Sequence, residues 1–138
     1  MRKLQLILAS LFLCISLSAF AAQDTLLPLA ARTATTTTDN VYKTTEKSAH
    51  VIINVTAVPG GDTITPKIQA MDNLGNYYDL LVGKAIVATG ITVLKIAQGG
   101  AVIANGAAAD FMPDVYRVVV TVSAASSFTY SVTINKSN

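Results

Sequence analysis

Near its C-terminal end the chain reads Val115-Tyr116-Arg117-Val118-Val119-Val120-Thr121-Val122, then Ser123-Ala124-Ala125-Ser126-Ser127, then Phe128-Thr129-Tyr130-Ser131-Val132-Thr133-Ile134. In the last stretch Phe128, Tyr130, Val132 and Ile134 alternate with Thr129, Ser131 and Thr133. A period of two belongs to a strand with one buried face and one wet face. In the first stretch Tyr116, Val118, Val120 and Val122 share a face, and Arg117, Thr121 and Ser123 share the other. The five residues between them suit a hairpin loop and are too few for a parallel crossover. The reading is an antiparallel β-hairpin with an aromatic and β-branched inner face, and no constellation suited to catalysis.

Upstream, Phe111-Met112-Pro113-Asp114 leads into this hairpin. Alanine-rich Ala101 to Asp110, with Asn105-Gly106 inside, fits a short strand, a helical turn or an irregular crossover. Ala85 to Ala97 reads as one strand broken near Thr89-Gly90 and ended by Gln98-Gly99-Gly100. Tyr77 to Leu81 is a short return strand after the turn Asp72 to Asn76. Thr63 to Met71 places Ile64, Ile68 and Ala70 inward, and Pro66, lacking a ladder donor, predicts an edge or a bulge. Pro59-Gly60-Gly61-Asp62 is a turn. Before it, His50 to Val58 puts Val51, Ile53 and Val55 on one face. Short strands ~8–12 residues apart, with turns and no amphipathic helix, predict an all-β, immunoglobulin-like antiparallel sandwich of about seven strands. No longer repeat of the solenoid or propeller kind is visible.

The N-terminal part is different in kind. Met1-Arg2-Lys3, the apolar run Leu4 to Leu17 and Ala19-Phe20-Ala21 together match a secretory signal peptide, cleaved after Ala21 or Ala22. The run is shorter than the ~20 residues of a spanning helix. The only cysteine, Cys14, leaves with this leader, so no disulfide or thiolate metal ligand is expected in the mature chain. Loss of Arg2 and Lys3 lowers the basic count from 10 to 8, against 8 acidic residues. A formally neutral chain gives no electrostatic reason for nucleic acid or an anionic membrane as partner. The expected organisation is a leader at 1–22, an arm or edge strand with a loop at 23–47, and a sandwich core at 48–138. Asp39 to Ser48 reads as the loop, and Pro28 keeps its neighbourhood out of a central strand.

Several stretches, taken in order, carry a resemblance. Ala30-Ala31-Arg32-Thr33-Ala34-Thr35, Val51 to Val58, Lys67-Ile68-Gln69-Ala70-Met71-Asp72 and Tyr78-Asp79-Leu80-Leu81 come first. Met112-Pro113-Asp114-Val115-Tyr116-Arg117-Val118 and Phe128 to Val132 follow. This order resembles a family of small immunoglobulin-like proteins of tailed phages. The resemblance implies a virion component of the head or tail surface, without catalytic residues. The secretory leader departs from that family, and leaves open a cellular relative exported to the surface.

The search for chemistry gives mostly satisfied alternatives. His50 is the only histidine and has no spaced partner for a triad or a zinc site. Asp72, Asn73, Asn76 and Asp79 could ligate calcium, but Asx-Gly spacing of this kind serves tight turns. Asp110 and Asp114 flank Pro113 and read as loop caps rather than an acid–base pair. Gly60-Gly61 and Gly99-Gly100 lack the helix and lysine of a phosphate loop. Tyr116 and Tyr130 fall on the core face, while Tyr77 and Tyr78 point to opposite faces, so at most one of those two is a surface aromatic. No catalytic residue, cofactor or metal ligand is assigned.

Two functional readings follow. In the first, the protein is a non-enzymatic, exported structural protein that assembles with itself or with other structural proteins. Leu26, Leu27 and Leu29 would lie in an arm that completes a neighbour's sheet. In the second, it is a secreted monomeric adhesion or glycan-binding module, located in a periplasm, at a cell surface or outside the cell.

Overall fold

A computed structural model describes residues 23–138; the predicted leader and Cys14 lie outside the described residues. The chain forms β1 (Gln23–Arg32), β2 (Thr36–Thr37), β3 (Val41–Tyr42), β4 (Ser48–Ala57), β5 (Ile64–Met71), β6 (Tyr77–Val82), β7 (Gly90–Ala97), β8 (Ala107–Ala108), β9 (Val115–Val122) and β10 (Phe128–Ser137). Seven of these have six residues or more, which is the all-β sandwich the sequence predicts. One sheet has the order β1-β10-β4-β7-β8; the other has β2-β9-β5-β6, with β3 also paired to β9. Only the short β7–β8 contact is parallel.

The expected C-terminal hairpin does not exist. β9 and β10 lie in different sheets, and residues 123–127 arch from one layer to the other. The face assignments were right, since Tyr116, Val118 and Val120 are fully buried, as are Phe128, Tyr130, Val132 and Ile134. Two strands with matching apolar faces can lie side by side in one sheet or face one another across a core. Alternation is identical in both cases, so only the partners distinguish them. Here β10 is taken by β4, with pairing from Thr129 opposite Ala57 to Ser137 opposite Ser48. β9 is taken by β5, from Ile64 opposite Val122 to Ala70 opposite Tyr116. In the immunoglobulin order the last two strands share a sheet; in this chain the last strand has moved across.

A second arch, 58–63, carries the chain from β4 to β5 beside the first. The two are joined: Thr63 N donates to Ser123 Oγ at 2.9 Å, and Ser123 N donates to Thr63 O at 2.9 Å. The Ser126 hydroxyl also bonds Asp62. These polar residues therefore fix how the two sheets meet at this end of the sandwich.

Pro66 lies in β5, between β9 and β6, and not on an edge strand. Its carbonyl accepts from Gly83 N at 2.8 Å, so its missing donor faces the β6 side. β6 has ended at Val82, so the gap falls where no ladder partner is needed. Ala85 to Ala97 is likewise not one strand. Ile86 bridges to Ile64 in the second sheet, the chain then crosses, and β7 begins at Gly90. Residues 39–48, read as a loop, contain β3, and β2 precedes it along the same edge of β9. Between those two pieces the Thr38 side chain mends the ladder. Thr38 N donates to Val118 O at 2.9 Å, and Thr38 Oγ1 accepts from Val118 N at 3.0 Å.

Gly83 sits where this crossing is tightest. A Cβ there would lie 2.9 Å from Pro66 O and 3.0 Å from Leu94 Cδ2. Gly83→Ala should destabilise the fold by about 1–3 kcal/mol, the usual cost of overpacking. Urea unfolding measures this; an unchanged midpoint would mean that the crossing yields without cost.

Candidate functional site

The sequence points to the N-terminal strand. β1 lies at the edge of its sheet, antiparallel to β10, from Gln23 opposite Asn135 to Arg32 opposite Phe128. The register slips between Thr25 and Leu27 and again between Leu27 and Ala30. Pro28 sits within the second slip, where a residue without an N–H is tolerated on an edge strand. Leu26 and Leu27 are half-buried and pack against the core. Leu29 is 57% exposed. The three leucines therefore do different things: two dock the strand and one faces outward.

Two polar clasps hold β1 at its ends. Arg32 donates to Tyr130 O at 2.6 Å, Pro28 O at 2.7 Å and Ala30 O at 3.1 Å. Its guanidinium also lies 4.7 Å from the centre of the Tyr130 ring. One side chain thus closes the bulge and ties it to β10. At the other end Lys136 pairs with Asp24 at 2.9 Å and with Glu46 at 3.6 Å. Gln23 Nε2 donates to Thr133 Oγ1 at 3.2 Å. The hydrogen bond to Asp24 raises the Lys136 pKa, and both carboxylate charges add to it. Glu46 accepts from Thr44 N at 2.7 Å and Thr45 N at 3.1 Å. The Thr44 amide first, then the amide of Glu46 itself, lower the Glu46 carboxyl to about 2, with the Thr44 hydroxyl and Lys136 assisting.

The other candidates do not converge. Tyr77 lies on the outer face of the second sheet, beneath the Arg117 guanidinium at 3.5 Å, with its hydroxyl bonded to Asn40. Tyr78 points the other way, is 51% exposed, and lines an open groove of about 830 Å³ with Leu74, Pro113 and Asp114. His50 is exposed on β4, opposite Lys95 on one side and Asn135 on the other. Asp72 accepts from Asn76 N at 2.8 Å and Leu74 N at 2.9 Å, and the Asn76 amide chiefly holds its pKa low. Asp79 is lowered first by Gln69, at 2.7 Å, then by Lys67. Asp110 caps the Phe111 amide at 2.7 Å, and Asp114 faces Lys43 at 3.5 Å. Among the described residues no group of three or more His, Cys, Asp or Glu side chains is placed to hold a metal ion.

Sequence reading missed Arg32, Glu46 and Lys136. Arg32 ends an apolar run, which is a visible signal for a strand end. Lys136 and Glu46 meet only through the pairing of distant strands, for which one sequence holds no signal. No protein-family model matches the chain, and no curated protein matches it.

The acid side of the stability profile follows from these carboxylates. Glu46 has a folded pKa of about 2 against a reference of 4.5, and Asp72 and Asp79 shift in the same direction. Their contribution is fully present above the reference values and is lost as pH falls through the folded ones. The urea midpoint should hold steady near neutrality and fall from about pH 4.5 downward. Glu46→Gln should lower the neutral midpoint and flatten that fall; a profile identical to the parent's would contradict the assignment.

Proposed function

We propose that the protein is a non-enzymatic, exported structural protein that assembles with copies of itself or into a larger particle or surface structure, with β1 as the linking arm. The observation that carries this reading is the way β1 is attached. It reaches the core through Leu26 and Leu27 only, while the strand beneath it, β10, is regular and apolar on its inner face. Uncovered, β10 would offer its neighbours a long open edge. A β1 from a second copy supplies the same hydrogen bonds, the same leucines and the same Arg32 clasp, with residues 33–35 as the hinge. Such exchange is a low-cost route to oligomers, and a head-to-tail version propagates into filaments or shells. The resemblance to small tailed-phage proteins supports an assembly role, and the leader-like N-terminus supports export.

A second reading, a monomeric adhesion or glycan-binding module, draws on Tyr78. Its half-exposed ring beside Asp114 in an open groove is a suitable surface for a sugar.

Cross-linking between differently marked chains tests the arm. A chain starting at Gln23 has no cysteine, and Thr25 lies opposite Thr133. Chains carrying Thr25→Cys are refolded together with chains carrying Thr133→Cys, then oxidised. A covalent heterodimer is expected. If the mixture yields none while the double variant links within single chains, β1 stays on its own domain. A glycan array then becomes the deciding measurement.

A further inference from the structure

The strand edges of this sandwich are not treated alike. β1 is protected by Pro28, two register slips and the charged residues Asp24 and Arg32. β6 carries a bulge at Leu80, and Asp79 is engaged with Lys67 and Gln69. The β2–β3 edge is interrupted at residues 38–40. Proline, bulges, charge and short length are the devices that stop edges from pairing with other chains. The far edge of β7 has none of them between Gly90 and Leu94. β8 covers it only at Lys95 and Ile96, leaving Gly90 to Leu94 open.

The direction of the free groups can be worked out. Lys95 N donates outward, to Gly106 O at 2.9 Å. Alternation along the strand then turns the N–H and C=O of Ile91 and Val93 outward as well. No backbone hydrogen bond of the described residues uses these groups. The stretch Gly90-Ile91-Thr92-Val93-Leu94 has no charge, no proline and no slip in its pairing with β4. Ile91 is 69% exposed and Val93 is half-buried.

We infer that this open edge of β7 pairs antiparallel with the same edge of a second copy, about a two-fold axis at Thr92. Ile91 of each copy then lies opposite Val93 of the other, and their outward groups form about four main-chain hydrogen bonds. Pairing of a patch with itself is disfavoured where like charges meet, and this stretch has none. Lys95 is covered by β8 of its own copy and lies three residues from the axis, so the two Lys95 side chains do not face one another. The first sheet continues through the interface from one copy to the next. This contact is independent of β1 and lies at the opposite edge of the same sheet, so the two together extend an assembly in both directions.

The chain starting at Gln23 tests the pairing. Thr92 would face its counterpart in a non-hydrogen-bonded pair, with Cα atoms about 4.5 Å apart, within disulfide range. Thr92→Cys should therefore give a covalent dimer on oxidation. Val93→Pro removes only an outward donor and leaves the β4 ladder intact. It should reduce the concentration-dependent mass seen by sedimentation, with circular dichroism confirming the fold. Ile91→Lys, a surface change, should do the same should Val93→Pro fail to fold. A Thr92→Cys chain that stays unlinked, or an Ile91→Lys chain that associates as strongly as the parent, overturns the inference. So does a chain that remains monomeric yet binds an extended valine- and threonine-rich peptide, because the occupant is then a foreign strand. The Thr25–Thr133 cross-link reports on β1 separately, so either contact can fail without the other.

Discussion

The burial of β10 is the constraint on which the rest depends. Phe128, Tyr130, Val132 and Ile134 are fully buried on its inner face, and its two edges are filled by β4 and β1. A strand with a large apolar face must be covered by an opposing sheet, and each of its edges must be paired or blunted. The opposing sheet is supplied by β9 and β5, which present Tyr116, Val118, Val120, Ile64 and Ile68. One edge is supplied by β4, whose Val51, Ile53 and Val55 continue the same core. The other must come from β1, so the N-terminal strand covers the one side of β10 that the core leaves open.

That cover is held less firmly than what it protects. Full burial of a leucine contributes about 1.5–3 kcal/mol, so the partial burial of Leu26 and Leu27 amounts to about 2–5 kcal/mol together. The ion pair of Asp24 with Lys136 adds little where Asp24 is about half exposed. The Arg32 clasp is geometrically stronger, since it binds three carbonyls at once. Against a typical stability of about 5–15 kcal/mol for a domain, an arm held in this way is expected to open locally, before global unfolding. By contrast, the β9–β10 and β4–β5 arches are joined to each other through Thr63, Ser123, Asp62 and Ser126. Fixed sheet crossings beside a more lightly held edge are what the proposed assembly arm requires.

The sequence made the faces legible and the neighbours illegible. The alternation of Val51, Ile53 and Val55, and that of Phe128 to Ile134, named the buried side chains correctly because a period of two depends only on the strand's own geometry. The same pattern could not separate a hairpin from an arch, because both present one apolar face. The Ser123-Ala124-Ala125-Ser126-Ser127 loop is short enough for either. The missing donor of Pro66 points, on sound chemistry, to an edge or a bulge. Pro66 sits inside the sheet because only one side of it lacks a donor, and that side faces a strand that has ended. Residues 39–48 looked like a loop because Val41 and Tyr42 are too few to show alternation. The leucines of β1 were visible as an apolar run. The clasps of Arg32 and Lys136 depend on register between residues about a hundred positions apart, which no local pattern encodes.

Native-state hydrogen exchange on the chain from Gln23 onward tests most directly whether β1 is a separable cover. Amides that join β1 to β10 should exchange through a local opening, with a free energy clearly below that of the amides joining β10 to β4. Arg32→Ala should lower the first set and leave the second unchanged. If the β1 amides are as protected as those of β4, and respond to denaturant as part of global unfolding, β1 is an integral strand and the account of it as an exchangeable arm is wrong.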